Sequence, residues 1–157
     1  MKSERKKGIF NHDEPTYRAG LLHAHSYRIL RKHASDELEV VELSTLDWSL
    51  LGLLYEERKG YRSSKLAVLL GVEAPFITET ARKLKKKGYV KETADTKDSR
   101  AKILSLSAKG RGFVPIYDRI LCQRLNRLLV GITPKDFSGY VKTLETILKN
   151  SHGPELW

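Results

Sequence analysis

The sequence is poor in cysteine and in long apolar runs. A single cysteine, Cys122, in 157 residues excludes an internal disulfide framework and fits a reducing, cytoplasmic compartment. No apolar run approaches the ~20 residues that a membrane-spanning helix needs, so no membrane partner is expected. The basic start MKSERKKGIF is followed by no apolar stretch, and does not read as a secretory signal. Catalysis needs a nucleophile with its base, paired carboxylates or a metal site. No Walker loop, HExxH, GxSxG or CxxC occurs, so neither enzyme activity nor a cofactor is expected. Among the five histidines (12, 23, 25, 33 and 152), His23 and His25 are two apart and would face nearly opposite sides of a helix. No metal site is expected.

Acidic residues are also in deficit, with 19 Asp or Glu against 29 Lys or Arg and a net charge of +10. Residues 61–112 hold thirteen of the bases and five of the acids, so +8 of that charge lies in one third of the chain. A basic middle between near-neutral flanks is the footprint of a polyanion-binding element. On charge alone, a lysine-rich solvated surface explains it equally well.

Hydrophobic residues make up 40% and charged residues 31%, which suits a soluble globular chain rich in exposed helix. The length suits one domain with a core. Residues 1–14 are expected to be a mobile basic arm, 15–150 a single domain and 151–157 a tail. Pro15 suits the first turn of a helix. Leu21, Leu22, His25, Ile29 and Leu30 then recur at helical spacing to about Arg31. Lys32 to Glu39 is polar and reads as a connection.

Ser44-Thr45-Leu46-Asp47 matches a capping box, and the apolar helix after it contains Trp48, Leu50, Leu51, Leu53 and Leu54. "GYRSS" reads as a short extended link. Ser63 or Ser64 is expected to cap KLAVLL, which stops at Gly71. Pro75 opens a second helix whose inward stripe is Ile77, Ala81 and Leu84, with Thr80 beside them. Two helices joined by a glycine-containing turn make a helix-turn-helix candidate. The alternating runs "YVKETAD" and "AKILSLS" around a charged tip predict an antiparallel hairpin, or wing.

A long stripe follows in Phe113, Ile116, Tyr117, Ile120, Leu121, Leu125, Leu128 and Leu129, with Pro115 placed near its beginning. Thr133 caps a last helix with Pro134 at its first position, and Phe137, Tyr140, Val141, Leu144, Ile147 and Leu148 form its stripe. The fold class expected is mainly α with a small β-hairpin wing.

This order of elements resembles the MarR family of bacterial and archaeal transcription regulators. The residues carrying the resemblance are Leu43 with Trp48, "LAVLLGVEAPFITETARKLKKKGYV" (66–90) and "DSRAKILSLSAKG" (98–110). The last stretch matches the family's wing signature with Asp98, Arg100, Leu106, Ser107 and Gly110. The resemblance implies a homodimer in which residues 15–42 and 113–150 form a dimerisation layer and residues 43–112 a DNA-binding winged helix. Two recognition helices would then read a pseudo-palindromic operator one duplex turn apart, ~34–36 Å.

On that reading the DNA-binding residues are Ser63, Ser64 and Lys65 at the start of one helix, and Pro75, Phe76, Thr78, Glu79, Arg82, Lys83 and Lys86 on the recognition helix. Thr78 is expected to meet a thymine methyl or a phosphate, Glu79 a cytosine amino group and Arg82 a guanine. Lys83, Lys86 and Lys87 are expected on phosphates. At the wing, the resemblance implies that Arg100 enters a minor groove with Asp98 holding its guanidinium, flanked by Lys97 and Lys102. Asp95 reads as a turn residue.

Family regulators often bind small aromatic or anionic effectors in a crevice between the two layers, and Tyr17, Trp48, Tyr55 and Tyr117 are candidates to line one. Cys122 is expected to be buried and inert. The partners expected are double-stranded DNA, a second copy of the chain and such an effector. The rival reading is a winged-helix module that docks proteins instead of DNA.

Overall fold

A computed structural model describes residues 15–95, 98 and 101–152. Along the chain run α1 (Thr16–Glu39), α2 (Thr45–Glu56), β1 (Tyr61–Arg62), α3 (Ser63–Leu70), α4 (Ala74–Lys86), β2 (Val90–Ala94), β3 (Lys102–Leu106), α5 (Ala108–Leu125), one 3-10 turn (Asn126–Leu129) and α6 (Pro134–His152). The fold is mainly helical with a small antiparallel sheet, as expected. The expected arm at 1–14 and residues 153–157 of the tail lie outside the described residues.

Helix α1 runs eight residues further than its apolar stripe suggests. The segment 32–39, expected as a connection, is helical. It contains no proline or glycine to stop it, and Lys32 pairs with Asp36 one turn on, at 2.8 Å. Its last turn delivers Leu38 into the core. The Leu43 N–H then folds back to the Leu38 carbonyl at 3.0 Å, with Glu42 at φ +56°. The capping box that starts α2 is formed in full: the Asp47 N–H donates to Ser44 Oγ at 3.1 Å, and the Ser44 N–H donates to Asp47 Oδ2 at 2.6 Å.

The link before α3, expected to be extended, contains the short strand β1. Tyr61 and Arg62 pair with Leu104 and Ile103, so β3 lies between β1 and β2. A two-residue strand is too short to alternate visibly. The central strand β3 buries Leu104, Ser105 and Leu106 in succession, because both of its faces are covered. Gly60 permits the close pairing. Its φ is +78°, and a Cβ there would lie 2.1 Å from the Leu104 carbonyl oxygen.

Helix α5 begins at Ala108, capped by the Ser107 hydroxyl. Pro115 is therefore its eighth residue, well inside the helix, and not near the beginning as expected. Its ring removes the N–H that the Arg111 carbonyl would accept. The stripe expected to reach Leu129 in one helix breaks at Leu125 into the 3-10 turn, and Ile116, Ile120 and Leu128 are exposed.

A single apolar cluster joins α2, α3, α4 and the sheet to Leu38 of α1 and to Val114, Tyr117 and Leu121 of α5. Among the described residues helix α6 contributes no buried side chain, and it touches the cluster through Leu148.

Candidate nucleic-acid interface

The helix-turn-helix is α3 and α4. Helix α3 stops at Gly71 in the left-handed conformation, and α4 opens with Ala74 and Pro75. The predicted inward stripe of α4 is correct: Ile77, Thr80, Ala81 and Leu84 are all buried. Burying those four leaves Pro75, Phe76, Thr78, Glu79, Arg82, Lys83 and Lys86 exposed. The Thr78 hydroxyl donates back to the Ala74 carbonyl at 3.2 Å, so its methyl and a lone pair are what it presents outward.

The cations of α4 and its C-cap do not share one role. Lys83, expected on a phosphate, instead donates to Oδ2 of Asp47 at 2.6 Å, and that carboxylate is only 2% exposed. Lys87 donates to Glu42 Oε2 at 2.6 Å and holds the Glu42 carboxyl below the usual glutamate value. On the opposite flank Lys85 pairs with Glu92 of β2, which is likewise lowered. Among the described residues Arg82 and Lys86 form no ion pair, and they stand on the outward ridge with Glu79. Pairings with acids 36 and 45 residues away in sequence left no local signal.

Serine capping of α3 is not found. Ser63 and Ser64 are its first two residues, and Arg62 is the N-cap, with no side-chain hydrogen bond to the first turn. Ser64 is exposed, and Ser63 and Lys65 are half-buried. Arg62 is committed elsewhere, because its Nε donates to Asp95 Oδ2 at 2.5 Å. Asp95, read as a plain turn residue, is buried and clamps the end of β2 to β1.

Beyond Asp95 lies the wing tip. Asp98 is exposed, and its carbonyl accepts the Ala101 N–H at 2.9 Å. Lys102 is exposed, 3.8 Å from Glu92. Lys97 and Arg100, central to the expected minor-groove contact, lie outside the described residues. The rest of the wing signature is architectural. Ser107 Oγ donates to the Gly88 carbonyl at 2.6 Å and accepts the Gly110 N–H at 3.0 Å. A Cβ on Gly110 would meet the Tyr89 carbonyl oxygen at 2.2 Å.

The four aromatic residues proposed for an effector crevice do not converge. Trp48 and Tyr117 meet edge to face at 6.0 Å. Tyr117 is buried, and its hydroxyl donates to the Glu37 carbonyl at 2.6 Å. Tyr17, 75% exposed, is on the first turn of α1, and Tyr55 is exposed near the end of α2. A groove of about 570 Å³ between α1, α2 and the start of α4 is lined by Tyr27, Leu30, Arg31, Trp48, Phe76 and Leu125, among others; Trp48 alone of the four belongs to it. Cys122, expected to be buried, is exposed. Partial desolvation and Asp118, 3.8 Å away, push its thiol up, which disfavours the reactive thiolate. Among the described residues no cluster of three or more His, Cys, Asp or Glu could hold a metal, and no helix is long and apolar enough to cross a membrane.

Comparison with known proteins gives this geometry its relatives. The MarR family model matches residues 43–102. A MarR-family transcriptional regulator from Rhodococcus sp. RHA1 is 20% identical, with 85% of this chain and 94% of that chain covered and a TM-score of 0.77. CouR from Rhodococcus jostii RHA1, bound to p-coumaroyl-CoA, is 20% identical over 83% of this chain and 91% of its own, with a TM-score of 0.75. MepR of S. aureus in complex with DNA is 20% identical over 90% of this chain and 98% of its own, with a TM-score of 0.67. At these identities the likeness is one of fold.

Proposed function

We propose that the protein is a homodimeric, sequence-specific binder of double-stranded DNA that represses transcription, a reading supported by the match of residues 43–102 to the MarR family model and by a fold like that of a MarR-family regulator. The observation that carries this reading is the outward ridge of α4. It presents Thr78, Glu79, Arg82 and Lys86 on a helix of the size a major groove admits, with two cations that no acid among the described residues neutralises. Arg82 would pair with a guanine edge and Lys86 with a phosphate. Ser63, Ser64 and Lys65 would meet the backbone at the start of α3. Arg100, with Asp98, Lys97 and Lys102, would address the minor groove. That MepR has been seen with DNA supports the same docking.

A second copy would cover the apolar residues that α1 and α6 leave exposed, among them Leu21, Leu22, Phe137, Val141 and Ile147. A small aromatic or anionic effector would sit in the groove beside Trp48 and Arg31, a reading supported by the ligand of CouR. The test is selection of bound duplexes from a random pool, followed by titration at several salt concentrations. A dimer contacting six to ten phosphates should lose ~10³–10⁵ in affinity between 50 and 200 mM salt. Absence of duplex binding at low salt would sink the reading and favour a protein-docking winged helix.

A further inference from the structure

The recognition helix is gripped from one side at two points a helical turn apart. Lys83 and Lys87 are four residues apart and so lie on the same flank of α4. Both reach back, away from the outward ridge, to the joint between α1 and α2. Lys83 meets Asp47, the capping-box residue of α2, whose Oδ2 also accepts the Ser44 N–H at 2.6 Å. Lys87 meets Glu42 at 2.6 Å and the Val41 carbonyl at 3.4 Å. Those three acceptors lie within seven residues that run from the α1–α2 turn into the first turn of α2, pinned to α1 where the Leu38 carbonyl takes the Val41 and Leu43 N–H groups. The same end of α1 is held to α5 by the Tyr117 hydroxyl on the Glu37 carbonyl and by Arg124 on the Glu37 carboxylate at 3.4 Å.

We propose that Lys83 and Lys87 are positioning residues, a two-point brace that sets the angle of the recognition helix against the α1–α2 joint, and that neither is a phosphate contact. This rests on the reading of the chain as a DNA-binding protein. Geometry separates them from Arg82 and Lys86, which stand on the outer ridge. Asp47 is nearly inaccessible, and removing Lys83 leaves its buried charge with a backbone donor alone, which is costly. Any shift of α1 relative to α2 is therefore carried to both points on α4 together. Such a joint lets a change between the terminal helices alter the pitch of the recognition helix without any contact to DNA.

Binding titrations over a salt series separate the two roles. A lost phosphate contact lowers the slope of log affinity against log salt by ~0.9 per contact. Lys86→Gln should show this. Lys83→Gln and Lys87→Gln should instead weaken binding ~3–30-fold at every salt concentration with the slope unchanged. Lys87→Glu should bind poorly, and the exchange Glu42→Lys with Lys87→Glu should restore binding. Slopes for Lys83→Gln and Lys87→Gln that fall as for Lys86→Gln, or an exchange no better than Lys87→Glu alone, would overturn the brace. Hydrogen exchange in the free protein reads it without DNA. Amides of residues 74–86 should exchange faster in Lys83→Gln and Lys87→Gln but not in Lys86→Gln, and equal exchange in all three would refute the brace even if the wild type binds no duplex. Wild-type protein that binds no duplex while the exchange pattern holds would refute the parent reading alone.

Discussion

The head formed by α2, α3, α4 and the sheet and the pair of terminal helices α1 and α6 use similar apolar side chains in opposite ways. In the head, Leu50, Leu51, Leu54, Leu66, Ile77, Leu84 and Leu104 are wholly buried. Every buried apolar residue of the described chain falls between Leu38 and Leu121. In the terminal helices Tyr17, Leu21, Leu22, Ile29, Phe137, Tyr140, Val141 and Ile147 are exposed, although their spacing is that of an amphipathic helix. The head buries its apolar residues in a core shared with Leu38 and α5, whereas the terminal helices leave most of theirs uncovered within the single chain. Apolar patches of this kind mark association surfaces, which supports the proposed second copy.

The largest test of this contrast pairs one substitution from each region. Leu84→Ala opens a cavity beneath α4 and should cost ~2–5 kcal/mol in urea unfolding. Ile147→Asp on α6 should leave secondary structure intact, because the side chain is 58% exposed in the single chain. It should shift the sedimentation equilibrium toward monomer by putting a charge where the partner would pack. An assembly unmoved by Ile147→Asp would break the contrast at its weaker side.

What the sequence revealed and what it hid divide along chemical range. The Ser44–Asp47 box, the Gly71 stop, the Ile77–Ala81–Leu84 stripe and the Thr133 cap of α6, where the Asp136 N–H donates to Thr133 Oγ1 at 3.2 Å, each act within eight residues. They were legible because a cap or a helical face is written in consecutive positions. The pairs Arg62–Asp95, Lys83–Asp47 and Lys87–Glu42 join residues 33, 36 and 45 apart. Before folding, each of those lysines looks like its neighbours Arg82 and Lys86. The site was thus legible as a helix and a ridge, but not as a division of labour among its cations. The helical 32–39 segment is hidden for a different reason: Leu38 is its only large apolar residue, so it has no apolar stripe to show.

Glycine substitutions sharpen the comparison, because their sign should differ between the two regions. Gly60→Ala forces a left-handed φ on a residue with a Cβ and drives that atom into the Leu104 carbonyl. It should cost ~1–3 kcal/mol, read as a lowered thermal midpoint. Gly139→Ala lies inside α6 with nothing within 4 Å of the new Cβ. Helix propensity alone should make it stabilising by ~0.5–1 kcal/mol. A loss there would place the partner's surface directly against Gly139, so the sign maps the covered face.

The smallest effect is expected from acid, and it falls on the head. The hydrogen bond from Lys87 lowers the Glu42 carboxyl below its ordinary 4.5, with the charges of Lys87 and Lys83 adding to it. Lys85 does the same for Glu92, helped by Lys102. A group whose folded pKa is depressed contributes stability in full above the unfolded value, and loses it as pH falls through the folded one. Stability from these pairs is therefore complete at neutral pH and declines from about pH 4.5 downward. Solvent screens both pairs, so each contribution is minor. Glu42→Gln should lower the urea midpoint slightly at pH 7 and leave a shallower decline below about pH 4.5 than the wild type shows. Glu92→Gln should behave alike, with the two effects additive because the carboxylates have separate lysine partners. A Glu42→Gln protein whose acid decline matched the wild type would mean that Lys87 gains nothing from that carboxylate, and that end of the brace would rest on the Val41 carbonyl alone.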